Sequence, residues 1–269
     1  MTKLCFYPGG PGVFQGADIG PSTTMPNGEG RVSSGVLILF LLGVGVGAVI
    51  QGSLGFGFSF VVVPLLGLLR PEALPATVLI MSMPMTITLA LRERGDIEAG
   101  GLVRLTAGRV VGTVVGVWLV GSWPTDELAV LTGAALLAGV AVSAFAPGFE
   151  AGGRTQLALG MVSGVMGTTA AVGGPPAALA YQHRPGPQLR ATLSASFVIG
   201  SVLSLTGLAL AGQVTRADFV LALQLLPGLA AGLLLSPRLA RRLDRAWMRP
   251  AVLAFAAATA VAVVVRALT

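Results

Sequence analysis

Only 10% of the 269 residues are charged, one is histidine and one is cysteine. The lone Cys5 excludes an internal disulfide and any cysteine cluster for metal. No Asp or Glu falls well inside a long hydrophobic run, and His183 sits at the end of one. Neither a buried carboxylate relay nor a converging acid–base or metal centre is therefore expected, and with them go a membrane enzyme and any catalytic residues. Lysine is nearly missing too, since Lys3 stands alone against sixteen arginines. That bias reflects a GC-rich genome better than nucleic-acid binding, because the bases fall mostly in short loops between apolar stretches. No nucleic acid, metal or other cofactor is expected as a partner.

What the chain has in abundance is apolar surface and glycine. With 54% hydrophobic residues, 38 glycines and a mean hydropathy of +0.84, it is too apolar for a soluble globule of its size. It belongs in lipid, where small residues let helix backbones approach. Residues 1–34 differ: runs such as Pro8-Gly9-Gly10-Pro11-Gly12 cannot support a packed element, and the segment lacks the apolar core of a signal peptide. It is expected to be a disordered tail, with Met25 as an alternative start.

Eight hydrophobic segments follow, at about 35–69, 72–91, 101–121, 126–147, 157–182, 189–211, 217–236 and 248–268. They predict an all-α, multi-pass integral membrane protein in the plasma membrane of a prokaryote. Two of them are interrupted in matching places. The first carries Gln51-Gly52-Ser53-Leu54-Gly55-Phe56-Gly57 and reaches Pro64; the fifth carries Ser163-Gly164-Val165-Met166-Gly167 and, through Gly173-Gly174-Pro175, reaches Pro176. One offset of 112 places Gly52 on Gly164, Gly55 on Gly167 and Pro64 on Pro176. Further along, Ala76-Thr77 matches Ala191-Thr192, and Gly108 with Gly112 matches Gly228 with Gly232. Two homologous halves are expected, 35–147 and 157–269, joined by a linker at 148–156.

The first segment is too long for one crossing. As a single helix it would reach roughly 50 Å, against a hydrocarbon core of about 30 Å. Folding back at the glycines solves this, and non-helical backbone at depth is tolerated only where it is buried or lines a cavity. Loop arginines favour the same treatment of the fifth segment. The Arg92/Arg94 loop and the Arg238–Arg249 loop lie on one side only if a segment between them re-enters, and then Arg154, Arg184 and Arg190 join them. The base-free Trp123–Glu127 loop falls opposite. Each half then has one hairpin and three crossings, so the halves are inverted; the alternative is a plain eight-helix bundle.

These features resemble the sulfite exporter TauE/SafE family: a glycine-rich break and proline opening each half, an Arg-Ala-Thr segment at Arg190-Ala191-Thr192, and a later Gly-x-x-x-Gly helix. The resemblance covers roughly 35–268 and implies a membrane transporter of small anions, notably sulfite, organosulfonates and related acids. Phe56 and Phe58 make the first break less uniformly glycine than that pattern.

Corresponding interruptions in two halves are where transporters free backbone to meet a solute. The candidate binding residues are Gln51, Gly52, Ser53, Gly55, Gly57 and Ser59 at the first break, and Gly167, Thr168, Thr169, Gly173, Gly174 and Pro175 at the second. Half-helix N-termini after Gly57 and at Pro175 offer N–H groups to an anion, and the hydroxyls can add donors or simply bond their own helices. Arg109, well into the third segment, either binds the anion or snorkels to the headgroups beside Arg104. The expected partners are a small anion and membrane lipid, with a homodimer left open. A transporter of another small organic acid, an intramembrane hydrolase using a lone serine, and a non-transporting scaffold are the other readings.

Overall fold

The computed structural model describes residues 34–145, 151–242 and 245–268, so most of the expected tail and part of the expected linker lie outside the described residues. Ten α-helices follow in order: α1 (Ser34–Leu54), α2 (Phe58–Leu69), α3 (Ala76–Arg92), α4 (Ala99–Ser122), α5 (Thr125–Phe145), α6 (Gly153–Thr169), α7 (Gly174–Leu179), α8 (Gly186–Leu210), α9 (Arg216–Arg242) and α10 (Arg245–Leu268). Five of them, α1, α4, α5, α8 and α9, are long and apolar enough to cross a membrane. The described residues contain no strand, and the all-α, multi-pass class is as the hydropathy predicts.

Both long segments break where the glycines stand. Gly55 and Gly57 take φ of 87° and 120°, a region open to glycine at little cost, and between them the chain reverses. Helix α2 then runs back along α1, whose missing side chains make its groove. A Cβ on Gly47 would stand 3.1 Å from Phe58 and 3.4 Å from Val62, and one on Gly43 would stand 2.6 Å from Leu65. The second break obeys different local chemistry. Its left-handed residue is Ala171, at φ 54°, while Gly173 has an ordinary φ of −75°. Helix α7 has only six residues, roughly 9 Å long, rather than a substantial half-helix. It opens on Pro175 and Pro176, which suit a first turn that has no use for their N–H groups. The polar and proline-rich stretch Gln182-His183-Arg184-Pro185 follows it and ends the apolar run. Helix α6 begins at Gly153, inside the stretch expected as linker.

Contacts along the helices fix their directions. On α4, a Cβ at Gly108 would strike the Leu157 carbonyl, one at Gly112 the Met161 carbonyl and one at Gly116 the Thr168 side chain, so α4 and α6 run parallel with backbones nearly touching. Likewise Gly228 faces the Leu41 carbonyl and Gly232 the Gly45 carbonyl, making α9 parallel to α1. Thr192 Oγ1 accepts from Glu98 N, Arg109 lies against Gly200 and Val117 against Gly207, which sets α8 parallel to α4. Thr77 donates to Asp218, and Gly52 has both Leu89 and Ser236 beside it, which sets α3 parallel to α9. Ser82 meets Ser201 and Glu93 meets Arg190, so α3 and α8 oppose each other. Helices α1, α3 and α9 therefore point one way, α4, α6 and α8 the other.

One end of the bundle collects the turn after α3, the start of α6 and the residues between α7 and α8. There Arg190 forks onto Glu93, with Nη2–Oε1 at 2.6 Å and Nε–Oε2 at 3.1 Å, and Arg104 Nε donates to Gln156 Oε1 at 2.7 Å. The opposite end carries Asp218, buried at the start of α9, whose Oδ1 accepts from Thr77 and whose Oδ2 accepts from Thr215 N and Oγ1.

Candidate functional site

Midway between these ends the two breaks meet. Gln51 bridges the first: its Nε2 donates to Gly55 O at 3.3 Å, and its Oε1 accepts from Phe58 N at 3.1 Å, satisfying a donor at the start of α2. Ser163, the residue 112 places later, bridges the second by donating to Gly173 O at 2.7 Å. The two breaks touch directly where Ser59 Oγ donates to Ala171 O, a pair separated by that same 112 residues.

A cavity of about 50 Å³ lies at this junction. Since one water needs about 10–15 Å³ by the same measure, the space suits a solute of a few non-hydrogen atoms. Of the residues expected there, Gln51, Gly57, Ser59, Arg109, Gly167, Gly173, Gly174 and Pro175 line it. Five do not. Ser53 donates to Val49 O and Thr169 to Val165 O, each within its own helix. Thr168 is hydrogen-bonded to Ser204 on α8. Gly52 lies against Ser236, and Gly55 against Leu189 and Arg190. Phe58, Phe60, Ala171 and Val172 from the breaks themselves also line it, with Leu79, Ser82, Met85 and Thr86 of α3 and Phe197 and Ser201 of α8. The sequence offered no signal for these, because a serine or threonine in an apolar helix reads the same whether it faces a cavity or its own carbonyls.

Arg109 is the charge of this cavity. It is 3% exposed, near the middle of α4, and turns inward rather than toward the bundle end that holds Arg104. Its guanidinium carbon sits 5.3 Å from the centroid of the Phe197 ring. One turn along α8, Gly200 leaves the space the guanidinium occupies: a Cβ there would collide with Nε, Cζ and Nη2. Nε and Nη1 are buried without a hydrogen-bond partner, and Arg109 has no ion pair among the described residues. Three of the four lining hydroxyls are committed to backbone carbonyls, and the fourth, Ser201, lies 3.1 Å from Ser82 Oγ. Ser59 gives its proton to Ala171 O, Ser82 to Leu79 O at 2.8 Å and Thr86 to Ser82 O at 2.8 Å. The expected set of hydroxyl donors therefore reduces to one cation with free N–H groups.

No curated protein and no solved structure matches the chain significantly. The family comparison does, with the description "Sulfite exporter TauE/SafE" matching residues 39–263. That span runs from within α1 to within α10 and so takes in both breaks, the cavity and Arg109. The chain belongs to the sulfite exporter TauE/SafE family, a family of membrane transporters.

Proposed function

We propose that this protein carries a small sulfur-containing oxyanion, sulfite or a short organosulfonate, across the plasma membrane of a prokaryote by alternating access, holding it at Arg109 between the two helix breaks. The observation that carries this reading is the buried, unpaired guanidinium in a mid-bundle cavity. Taking such a charge out of water costs several kcal/mol, of which a desolvated cation–π contact returns only a part, about 2 kcal/mol or somewhat more. An anionic solute beside the guanidinium makes up the difference. Intramembrane ionisable groups facing a cavity are the usual mark of a solute path.

The moving parts follow from two inverted repeats, α1–α5 and α6–α10. Three things support that division: α1 and α6 run in opposite directions, the pairings α1 with α9 and α4 with α6 exchange when the halves are exchanged, and Ser59 meets Ala171. In this arrangement the end that gathers the arginine-bearing connections faces the cytoplasm. A cavity of this size favours an inorganic oxyanion or a very short sulfonate over a larger organic acid. Thermal unfolding of the purified protein with sulfite, sulfate, thiosulfate, short sulfonates and carboxylates tests the reading, because a ligand that binds only the folded state raises apparent stability. Stabilisation by a sulfur oxyanion in wild type, absent in Arg109→Gln, is the expected result. Stabilisation by carboxylates alone would return the protein to the organic-acid reading.

A further inference from the structure

We infer that the cavity accepts its solute as a singly charged anion and discriminates against dianions, which rests on the cavity being the solute site. Two independent observations carry this.

The first is charge. Among the described residues Arg109 is the only titratable one lining the cavity, although α1, α2, α3, α4, α6, α7 and α8 all contribute to its wall. The neighbouring cations are engaged elsewhere, Arg104 with Gln156 and Glu98, Arg190 with Glu93. The start of α2 adds at most about half a positive charge, and Gln51 already occupies its Phe58 N–H. A monoanion is thus nearly neutralised, whereas a dianion leaves net negative charge in a buried site, which is costly wherever no partner balances it.

The second is hydrogen-bond polarity. Of the four lining hydroxyls, Ser59, Ser82 and Thr86 each donate to a backbone carbonyl, so toward the cavity they offer lone pairs rather than protons, and the fourth, Ser201, has Ser82 Oγ as an acceptor at 3.1 Å. Lone pairs repel the extra charge of a dianion and welcome an oxyanion that still carries an O–H. Protonated sulfite, HOSO₂⁻, meets both conditions: its oxygens face the guanidinium and its O–H has acceptors.

Three probes separate charge from chemistry. Methanesulfonate is a monoanion and sulfate a dianion throughout the accessible pH range, while sulfite changes from one to the other near neutrality. With wild-type protein in detergent, methanesulfonate is expected to bind with an affinity that stays flat from mildly acidic to mildly alkaline pH. Sulfate should bind at least roughly tenfold more weakly. Sulfite affinity should fall by up to roughly tenfold per pH unit once the dianion dominates, because binding is then linked to uptake of a proton by the solute. Sulfate binding as tightly as methanesulfonate, or sulfite affinity that holds or rises with pH, overturns the inference. Arg109→Gln keeps the two levels apart. Loss of all three anions in that variant, with no charge selectivity in wild type, leaves the site standing and removes only the charge inference. Unchanged selective binding in that variant removes the site itself.

Discussion

At the scale of single residues, the account turns on how Arg109 is held. Phe197 and Gly200 lie one turn apart on α8, one beneath the guanidinium and the other making room for it. Carrying the sequence match of Gly108 with Gly228 one residue on, Arg109 corresponds to Leu229. The match of Thr77 with Thr192, carried along, sets Gly200 against Met85. On that matching the cation has no counterpart in the second half. Arg109→Gln should weaken anion binding by about 1.5–3 kcal/mol, the range for a hydrogen bond to a charged group. Arg109→Lys should recover only part, since an ammonium cannot reproduce the planar fork. Equilibrium binding to the purified variants measures both. Gly200→Ala should lose a comparable amount while the protein remains inserted, because the new methyl displaces the guanidinium rather than a backbone; wild-type affinity in that variant would show that the cradle has no role.

The two breaks separate what glycine does at each. Gly174→Val should abolish transport with the protein still in the membrane, since its φ is ordinary and its first obstacle is the Phe56 side chain, 3.2 Å from the ideal Cβ. Gly55→Val should lose folded protein as well, because φ is 87° there and the Arg190 backbone stands 3.3 Å away. Detergent-extracted yield and flux, measured together, distinguish the two outcomes.

Among elements, the tightest contact is between α4 and α6, where Gly108 and Gly112 are matched by Gly160 and Gly164 from the other side. Gly112→Ala drives a methyl into the Met161 carbonyl, which has no rotamer to yield, and should destabilise by about 1–3 kcal/mol. Gly121→Ala near the end of the same helix meets nothing within 4 Å, and should be neutral or stabilising by about 0.5–1 kcal/mol. Thermal unfolding in detergent compares them, and equal melting temperatures would contradict backbone-to-backbone packing. Much of this level was legible beforehand. Glycine and proline act locally, so the two break positions, the segment count and the Gly108/Gly112 match with Gly228/Gly232 could be read from the chain. Hydroxyl roles could not. Ser53, Ser59 and Thr169 are the same kind of residue in the same kind of run, and only the packed structure shows that Ser59 faces the cavity while the others bond their own helices. Ala171 was hidden for the same reason, since nothing local marks an alanine for a left-handed conformation.

For the whole molecule, helix directions place Gly95 and Arg184 at one end and Ser122 and Gln213 at the other, all exposed. Single cysteines at these four positions in a Cys5→Ser background should react with an impermeant thiol reagent in two groups, the first pair only when the cytoplasmic face is opened. Gly95 and Arg184 labelling from different sides would contradict the fold-back of α6 and α7. Short loop arginines are what predict this orientation, because they sort by membrane side, whereas the depth of Arg109 along α4 left its direction undecided until its packing against α8 was seen.

The most direct test of the central claim is counterflow in proteoliposomes loaded with unlabelled sulfite, following uptake of labelled sulfite by wild type and by Arg109→Gln. Wild type should exchange the anion, and Arg109→Gln, inserted in equal amount, should fall to the rate of protein-free vesicles. Full exchange by Arg109→Gln, or wild-type transport of a cation with no dependence on any anion, would contradict the account.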